Sequence, residues 1–314
     1  MDDLWVKRTH SSSYFPPDFE SQEKAALEAL PGVHYLGTQD EVPAEGTLCL
    51  LTNTHTNLTP FLPVRDRVAL ILHPNSGHDN LNTDVAGFKA PCVLGNPIRA
   101  QAVAQWIMGA LMQHFTAIVP QRVWPRSRSW DRPLLSEKSI LIVGLGEVGR
   151  KVFRALEALG ATPDVHDPFL GPQRPEGKIW DVVILAASLN PTSENFINEA
   201  FLKSVSKDFI LLNPARGEMV DERALRAHFK KHPQGRAYLD VHRKEPYAPS
   251  FWLDCPQVVA TPHIAGVWTG LTDAMIKFEE ETLLLWRLMK REDFLSTHRT
   301  LLLSERRTAQ GWYR

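Results

Sequence analysis

The 314-residue sequence has few cysteines, no long apolar run and almost no net charge. Its three cysteines, Cys49, Cys92 and Cys255, lie far apart without a CxxC pair, which favours free thiols in a reducing compartment over a disulfide or zinc framework. The net charge of -1 provides no field for nucleic acid or an anionic membrane. No apolar stretch approaches the roughly 20 residues that span a bilayer, and the start, Met1 to Trp5, lacks the pattern of a signal peptide. We therefore expect a cytoplasmic globular protein that binds neither nucleic acid nor membranes.

Short β-branched runs alternate with helical patterns through the middle of the chain. The predicted strand over 139–143 is followed by an amphipathic helix that ends at Gly160, and further crossover helices are expected. These helices cover 195–207 and 221–232. Such alternation predicts a parallel sheet with helices on both faces. The other strands of this sheet are expected over 163–167, 181–186, 209–213, 237–241 and 258–260.

The first hundred residues show the same alternation less regularly. A long helical pattern then runs from Ala102 to Leu111, and 120–133, rich in proline, arginine and serine, is typical of a solvated loop. A further helix follows Gly270, and the polar sequence from Asp293 onward predicts a loosely packed tail. The elements expected in the first hundred residues are strands over 4–7, 33–36, 48–52 and 68–72 and a helix over 19–30.

Two domains account for this order of elements and for the length of the chain. A cofactor domain of 100–268 is inserted into a discontinuous substrate domain of 1–99 and 269–314. The cleft between two such domains is the expected ligand site.

A glycine-rich turn joins the first strand of the cofactor domain to its amphipathic helix. The turn reads Gly144-Leu145-Gly146-Glu147-Val148-Gly149, and the apolar strand before it ends directly at Gly144. In a dinucleotide fold the first glycine permits the tight turn, the second lets the backbone approach a pyrophosphate, and the third lets helix and strand pack closely. The helix start at Glu147 and Val148 would then offer its amide groups to the phosphates. This context predicts a dinucleotide site rather than an ordinary strand-helix turn.

Asp167 ends the next strand, 18 residues after Gly149. At that place a carboxylate accepts hydrogen bonds from the hydroxyls of the adenosine ribose and repels a 2′-phosphate. The first basic residue after it is Arg174. The sequence therefore favours NAD (NADH) over NADP.

Three further strand ends carry groups suited to the reduction of a 2-oxo acid. Arg216, Glu245 and His263 each follow a predicted strand, at the edge where parallel sheets bind ligands. An arginine fork holds a substrate carboxylate, an imidazole donates the proton as hydride reaches carbon, and a carboxylate beside the imidazole favours its charged form. Taken one by one, such residues are more often ordinary surface residues, and spacing does not show that the three meet.

These segments resemble the signature blocks of the D-isomer-specific 2-hydroxyacid dehydrogenases, a family that includes phosphoglycerate, glyoxylate/hydroxypyruvate and D-lactate dehydrogenases. The blocks cover nearly the whole cofactor domain in the family's order. They are the glycine turn, His166-Asp167-Pro168, Asn213-Pro214-Ala215-Arg216-Gly217, Leu239-Asp240-Val241, Glu245-Pro246 and Thr261-Pro262-His263-Ile264-Ala265-Gly266.

The resemblance implies an α/β fold with two Rossmann-like or flavodoxin-like domains, the NAD-binding doubly wound parallel sheet being inserted into the substrate domain. It implies an oxidoreductase that transfers a hydride between NAD(H) and a small 2-hydroxy or 2-oxo acid with D-stereospecificity. Arg216 would orient the substrate carboxylate, and His263, paired with Glu245, would act as general acid and base. A homodimer formed through the cofactor domains is also implied.

The same resemblance assigns further cofactor contacts. Asp240 would contact the nicotinamide carboxamide, and Pro214 and Gly266 lie in the matching blocks. The departures concern the substrate: the segment Thr52-Asn53-Thr54-His55-Thr56 replaces the arginine or similar residue and serine that are common there. The candidate substrate contacts besides Arg216 are Asn53, Thr54, Asn75, Ser76 and Gly77. No metal is expected, because His73 and His78 have no clear third ligand.

Other functions stay open on this fold. An NAD-sensing interaction protein resembling the C-terminal-binding corepressors would share the fold and the three catalytic-type residues, but would need an exposed apolar groove and long flanks. A binding-only relic would have lost catalysis. Short flanks and the intact Arg216, Glu245 and His263 favour an enzyme. A formate-dehydrogenase-like activity is disfavoured because the resemblance would require glutamine in place of Glu245.

Overall fold

The computed structural model describes residues 3–81, 87–116, 122–124, 126, 133–171, 173–308 and 313. Most of the loop predicted at 120–133 lies outside these residues. The chain divides into two compact units, Met1–Arg99 with Val267–Arg314 and Ala100–Gly266. Each unit contains one parallel β-sheet. The first unit is therefore discontinuous in sequence, and the second is inserted into it.

The regular elements are numbered here in chain order. The strands are β1 (Leu4–Arg8), β2 (Val33–Leu36), β3 (Thr47–Leu51), β4 (Val68–His73), β5 (Cys92–Leu94), β6 (Ile140–Val143), β7 (Asp164–His166), β8 (Trp180–Leu185), β9 (Val205–Asn213), β10 (Arg236–Leu239) and β11 (Val258–Ala260). The α-helices are α1 (Phe19–Leu27), α2 (Asn96–Phe115), α3 (Glu147–Ala158), α4 (Glu222–Lys231), α5 (Leu271–Leu288) and α6 (Arg291–Thr297). In the part of the chain so described, no helix is both long and apolar enough to cross a membrane.

The sheet of the first unit has the strand order β2-β1-β3-β4-β5, and every neighbouring pair is parallel. Successive side chains of a strand point to opposite faces, and in β3 both faces are apolar. Cys49 and Leu51 pack into one core layer, while Leu48 and Leu50 pack into the other. This double burial is typical of parallel sheets covered by helices. Strand β5 was not predicted from the sequence.

The described part of the C-terminal stretch, 293–308 and 313, packs against the first unit, and for these residues the prediction of a loose tail from Asp293 onward was wrong. Phe294 of α6 and Leu303 are 0% and 1% exposed, and the backbone of Leu302 pairs with Val93 of β5. The apolar residues that complete the core of the first unit are outnumbered by polar residues in this stretch. The average polarity of the stretch therefore did not reveal them.

The sheet of the second unit has the order β7-β6-β8-β9-β10-β11, again with parallel neighbours throughout. Counted within the unit, this is the doubly wound order 2-1-3-4-5-6, in which the winding direction reverses between β6 and β8. Apolar layers cover both faces of this sheet as well. The predicted fold class, two α/β units built on doubly wound parallel sheets, is confirmed.

One predicted crossover helix, over 195–207, is absent. Only a single 3₁₀ turn, Phe201–Ser204, forms there, and β9 begins at Val205. The backbone before this turn is hydrogen-bonded to another segment: Ile197 pairs with Val220 and exchanges backbone hydrogen bonds with Met219 and Asp221. A peptide group that is hydrogen-bonded to a distant segment cannot also form the hydrogen bond of a helix to the residue four positions away. The helix predicted from the sequence pattern therefore does not form.

The three cysteines are free, buried thiols. Among the described residues, no group of three or more histidine, cysteine, aspartate or glutamate side chains is placed to hold a metal ion. The ring of His73 is instead used inside the first unit, where Nδ1 lies 2.8 Å from Oγ1 of Thr52 and Nε2 lies 2.6 Å from the carbonyl oxygen of Gly77.

Candidate active site

The glycine turn after β6 lies where the winding of the second sheet reverses. Gly144 has φ of +94°, and a Cβ atom there would lie 2.6 Å from Cα of Ala187, which follows β8. A Cβ atom on Gly149 would lie 2.1 Å from the carbonyl oxygen of Gly144. Both positions therefore exclude every larger residue, and the turn is closed tightly between β6, α3 and the end of β8.

Gly146 differs from the other two glycines because it faces open space. It is the N-cap of α3, and a Cβ atom built on it would meet no heavy atom within 4 Å. No side chain caps the helix, so the amides of its first turn are available to an outside acceptor. Glu147 is exposed there, whereas Val148 packs against the core. An open N-terminus on a tight glycine turn fits the pyrophosphate of a dinucleotide.

Asp167, just after β7, is bonded to the glycine turn itself. Its Oδ2 accepts a hydrogen bond from the amide of Leu145 at 2.8 Å, and Oδ1 accepts from the amides of Phe169 and Leu170 at 3.2 and 3.3 Å. The carboxylate thus joins the ends of β6 and β7. The nearby basic residue, Arg174, places its guanidinium 4.7 Å from the ring centroid of Phe201.

Three neighbouring strands of the second sheet end in register. Asn213 of β9 lies opposite Leu239 of β10, which lies opposite Ala260 of β11. Backbone hydrogen bonds continue beyond the strands, from the amide of Asp240 to Asn213 at 3.0 Å and from the amide of His263 to Asp240 at 2.8 Å. The three loops that carry Arg216, Glu245 and His263 therefore leave the sheet side by side.

His263 and Glu245 form a direct pair. Nδ1 of His263 lies 2.7 Å from Oε2 of Glu245, and the other carboxylate oxygen accepts from the amide of His242 at 2.9 Å. Burial opposes ionisation of Glu245, but the hydrogen bonds from His263 and from the His242 amide hold the pKa of Glu245 below its usual value. About half of the His263 side chain, 51%, is exposed, so its second ring nitrogen can reach a ligand.

Asp240 is a fully buried clamp on the His263 loop. Its Oδ1 accepts from Oγ1 of Thr261 at 2.5 Å and from the amide of Ile264 at 2.8 Å, and its Oδ2 accepts from the amide of Ala265 at 2.8 Å. These bonds fix the backbone on both sides of His263, which adopts φ of +58°. For a non-glycine residue that conformation is uncommon and needs such support.

Arg216 is presented by a loop whose backbone is held by the side chain of Asn213. The Asn213 amide donates to the carbonyl oxygen of Arg216 at 2.8 Å and accepts from the amide of Ala215 at 3.1 Å. Nη1 of Arg216 donates to the carbonyl oxygen of Ala215 at 2.8 Å. Gly217 follows, and a Cβ atom there would lie 1.9 Å from the carbonyl carbon of His242. The Arg216 loop and the Glu245 segment are thus in backbone contact.

The predicted substrate contacts lie after β3 and β4 at the carboxyl edge of the first sheet. Asn53 is 2% exposed, and its side chain accepts from the amide of His55 at 2.9 Å and donates to Nδ1 of His10, also at 2.9 Å. Its amide therefore shapes the loop. Thr54 next to it is exposed. After β4, Asn75 is buried, while Ser76 and Gly77 are half-buried.

Sequence reasoning missed Ala187, Asn213 and Gly217, which shape the site without carrying reactive groups. Ala187 follows β8 and supports Gly144, and the same strand-end argument that selected Arg216 applies to it. The roles of Asn213 and Gly217 depend on what their neighbours in space are, which no spacing in the sequence expresses. Pro214 and Gly266, predicted as cofactor contacts, are both half-buried.

Comparison with known proteins gives a family for this chain. The family model described as "D-isomer specific 2-hydroxyacid dehydrogenase, NAD binding domain" matches residues 108–265. The D-3-phosphoglycerate dehydrogenase of Bacillus subtilis is 30% identical over 213 residues, which cover 60% of this chain and 40% of that protein. This chain spans about half or less of the length of the curated phosphoglycerate dehydrogenases that it matches.

Two solved structures illustrate the shared fold. An NADPH-dependent glyoxylate/hydroxypyruvate reductase from Sinorhizobium meliloti has a TM-score of 0.68 at 20% identity, with 91% of this chain and 95% of that chain covered. D-lactate dehydrogenase from Aquifex aeolicus has a TM-score of 0.68 at 16% identity, with coverages of 95% and 98%. With half of its length matched by the family model, this chain belongs to the D-isomer-specific 2-hydroxyacid dehydrogenases.

Proposed function

We propose that this protein is a NAD-dependent, D-stereospecific oxidoreductase that interconverts a small 2-oxo acid and its 2-hydroxy acid. The observation that carries the proposal is the His263–Glu245 pair, 2.7 Å apart, which joins the loops after β11 and β10. The loop after β10 is adjacent to the loop after β9 that presents Arg216. An imidazole oriented by a carboxylate, next to an arginine at the same sheet edge, is the group set that reduction of a 2-oxo acid requires. Membership in the family supports the same activity.

The cofactor would lie on the glycine turn. The open N-terminus of α3 at Gly146 would receive the pyrophosphate, and Asp167 would accept from the adenosine ribose hydroxyls. Asp167 already binds the amides of Leu145, Phe169 and Leu170, which keeps it fixed as an acceptor, and its charge would repel a 2′-phosphate. The guanidinium of Arg174 lies over an aromatic ring rather than beside the carboxylate. These contacts favour NAD over NADP.

When bound, the nicotinamide supplies or accepts the hydride. Arg216 would bind the substrate carboxylate through its planar fork and so orient the carbonyl group. Asp240 is buried and uses both carboxylate oxygens to clamp the backbone around His263, so it would act on the nicotinamide through that loop. The half-buried Pro214 and Gly266 would instead contact the cofactor directly. In this arrangement the backbone of the three loops sets the geometry before any ligand arrives.

His263 would move the proton. Glu245 accepts at Nδ1 of His263, which directs the other ring nitrogen, Nε2, to the substrate oxygen. In the reducing direction, Nε2 donates its proton to the carbonyl oxygen, and the imidazolium charge beforehand is stabilised by the Glu245 carboxylate. In the oxidising direction the neutral ring removes the hydroxyl proton at the same atom.

The first unit would select the substrate. Thr54, Asn75, Ser76 and Gly77 lie after neighbouring strands at the carboxyl edge of its sheet, and the buried Asn53 holds the loop that presents Thr54. This edge is where an open parallel sheet binds ligands. We propose that these loops decide which 2-oxo acid fits.

The activity is tested by NADH oxidation against a panel of 2-oxo acids, including glyoxylate, hydroxypyruvate, pyruvate, 2-oxoisocaproate and phosphorylated acids. Consumption of NADH with formation of the D-hydroxy acid supports the proposal. NADH binding measured by fluorescence, without turnover of any member, would contradict it. We also propose a cytoplasmic homodimer formed through the second unit, and light scattering of the purified chain checks that stoichiometry.

A further inference from the structure

His242 is a buried imidazole in the segment between β10 and Glu245. Only 4% of its surface is exposed, and neither ring nitrogen forms a hydrogen bond of good geometry among the described residues, although the Thr261 backbone acts on the ring as a polar group of the main chain. The ring lies against Tyr247, with the two ring centroids 4.0 Å apart. A buried polar ring that lacks a well-formed hydrogen bond is unfavourable, so its presence beside the site indicates a role other than packing.

The backbone of His242 contacts both parts of the proposed catalytic set. Its amide donates to Oε1 of Glu245 at 2.9 Å, and the other oxygen of that carboxylate meets His263. On its carbonyl side, Gly217 is packed so closely that a Cβ atom there would lie 1.9 Å from the His242 carbonyl carbon. A displacement of His242 therefore displaces Glu245 and disturbs the loop of Arg216.

Acidic groups surround the ring. Glu222, the first residue of α4, has its Oε1 atom 3.9 Å from Nδ1 of His242 and also accepts from the amide of Arg243 at 3.1 Å. The carboxylates of Asp240 and Glu245, which lie in the same segment as His242, favour the protonated form of its ring. The Arg243 guanidinium is directed away, to the side chain of Asn195 and the carbonyl oxygen of Glu218.

The balance of these effects favours the neutral ring. Burial lowers the pKa of His242, and the opposing influence of Glu222, the Thr261 backbone, Glu245 and Asp240 does not cancel it. A proton arriving on the ring would place a positive charge next to Glu222 and close to Glu245. The ring would then approach Glu222 on α4 and compete with His263 for the Glu245 carboxylate.

We propose that His242 is a positioning residue, which holds Glu245 on His263 while its ring is neutral and loosens that pair when its ring is protonated. The inference rests on the proposed function. It adds an ionisation to the acid side of the activity profile, separate from that of Glu245. The ring itself touches no reacting atom and acts through its own amide and through the charge that it acquires.

The first test compares kcat/KM for the 2-oxo acid at pH 5 and pH 7.5 in the wild type, His242→Phe and His228→Phe. Phenylalanine keeps a ring against Tyr247 but cannot bind a proton. His228, a histidine of α4 whose pKa is likewise lowered by burial, is the matched control. His242→Phe lacks one ionisation, so its ratio of kcat/KM at pH 5 to kcat/KM at pH 7.5 should exceed the wild-type ratio. The increase should be up to about tenfold for each pH unit by which pH 5 lies below the pKa of His242. The ratio for His228→Phe should stay at the wild-type value. A wild-type ratio in His242→Phe would overturn the proposal.

The second test does not need turnover. In protein with labelled histidine rings, NMR titration should show His242, assigned from the His242→Phe spectrum, titrating below its ordinary pKa of 6.5. The His263 resonances should shift together with it in the wild type and lose that step in His242→Phe. Titration of His242 at or above 6.5, or a wild-type His263 ring that does not respond, contradicts the proposal. If no 2-oxo acid is reduced while the two rings titrate together, the proposed function fails but the coupling stands.

Discussion

Gly217 and His242 are in such close backbone contact that no side chain fits between them. A Cβ atom on Gly217 would lie 1.9 Å from the carbonyl carbon of His242 and 2.2 Å from its oxygen. Gly217 follows Arg216 directly, and His242 binds Glu245 through its amide. This contact therefore connects the residue proposed to bind substrate with the pair proposed to move the proton.

Replacement of Gly217 by alanine should damage catalysis more than folding. The extra carbon must push two backbone segments apart, which costs about 1–3 kcal/mol of unfolding free energy. A shift of this size in the Arg216 and Glu245 loops should lower kcat/KM by about 100-fold. Urea unfolding and steady-state kinetics measure the two effects. Gly109→Ala is the control, because a Cβ atom there meets nothing within 4 Å. Equal activity in both variants would show that the contact does not position Arg216.

His263→Ala should abolish the proton transfer while leaving the cofactor site intact. Loss of a general acid lowers the rate by about 10²–10⁴-fold, and NADH affinity should change little because the glycine turn lies after another strand. Fluorescence titration with NADH and kcat measurements separate the two. A variant that retains wild-type kcat would remove His263 from the proton-donor role.

Glu245→Gln should test the charge of the pair at constant shape. The pKa of Glu245 is held below its ordinary 4.5 in the folded protein, so its contribution to stability is present above 4.5 and is lost as the pH falls through its folded pKa. The variant should lose that acid dependence of the unfolding free energy, which chemical denaturation at a series of pH values below 7 measures. Profiles that superimpose on the wild type would contradict this role.

Asp167→Ala should weaken the discrimination between NADH and NADPH. Removal of the carboxylate takes away the acceptor for the ribose hydroxyls and the charge that would repel a 2′-phosphate. It also removes the hydrogen bond to the Leu145 amide, so affinity for NADH should fall. The ratio of kcat/KM for the two coenzymes is the measurement. If the ratio does not change, the coenzyme preference resides elsewhere.

Replacement by glutamine should change the unfolding free energy by different amounts at two glutamates of a buried charge cluster in the first unit. Arg8, Glu23 and Glu279 are all 0% exposed, and Arg8 contacts both carboxylates. Burial and the nearby Glu23 raise the pKa of Glu279, which favours the protonated form of Glu279 over that of Glu23. Despite burial, Arg8 lowers the pKa of Glu23.

Glu279→Gln should consequently change the unfolding free energy little, because an amide replaces a neutral acid. Glu23→Gln should cost about 3–5 kcal/mol, because it leaves Arg8 buried without a full counter-charge. Chemical denaturation of the two variants at pH 7.5 makes the comparison. Equal losses would mean that both carboxylates are ionised.

Local signals in the sequence predicted most of the second unit. The apolar run that became β6, the glycines after it and Asp167 needed only strand length, helix periodicity and the geometry of a βα turn. The crossover helix expected over 195–207 failed because Ile197 bonds to the distant Met219 and Asp221, a competition that local periodicity does not contain. The buried tail residues Phe294 and Leu303 were missed for a related reason, since too few apolar residues marked them.

Residue types and their spacing along the chain are enough to identify the chemical groups that are present: the glycine turn, the acid that follows it, and an arginine, a glutamate and a histidine each placed after a strand. Which of these groups meet depends on the folded chain. The tertiary structure brings Nδ1 of His263 to 2.7 Å from Glu245 and packs Gly217 against His242. The physical reason is the register of β9, β10 and β11, because strands far apart in the chain align their ends through hydrogen bonds that spacing along the sequence does not encode.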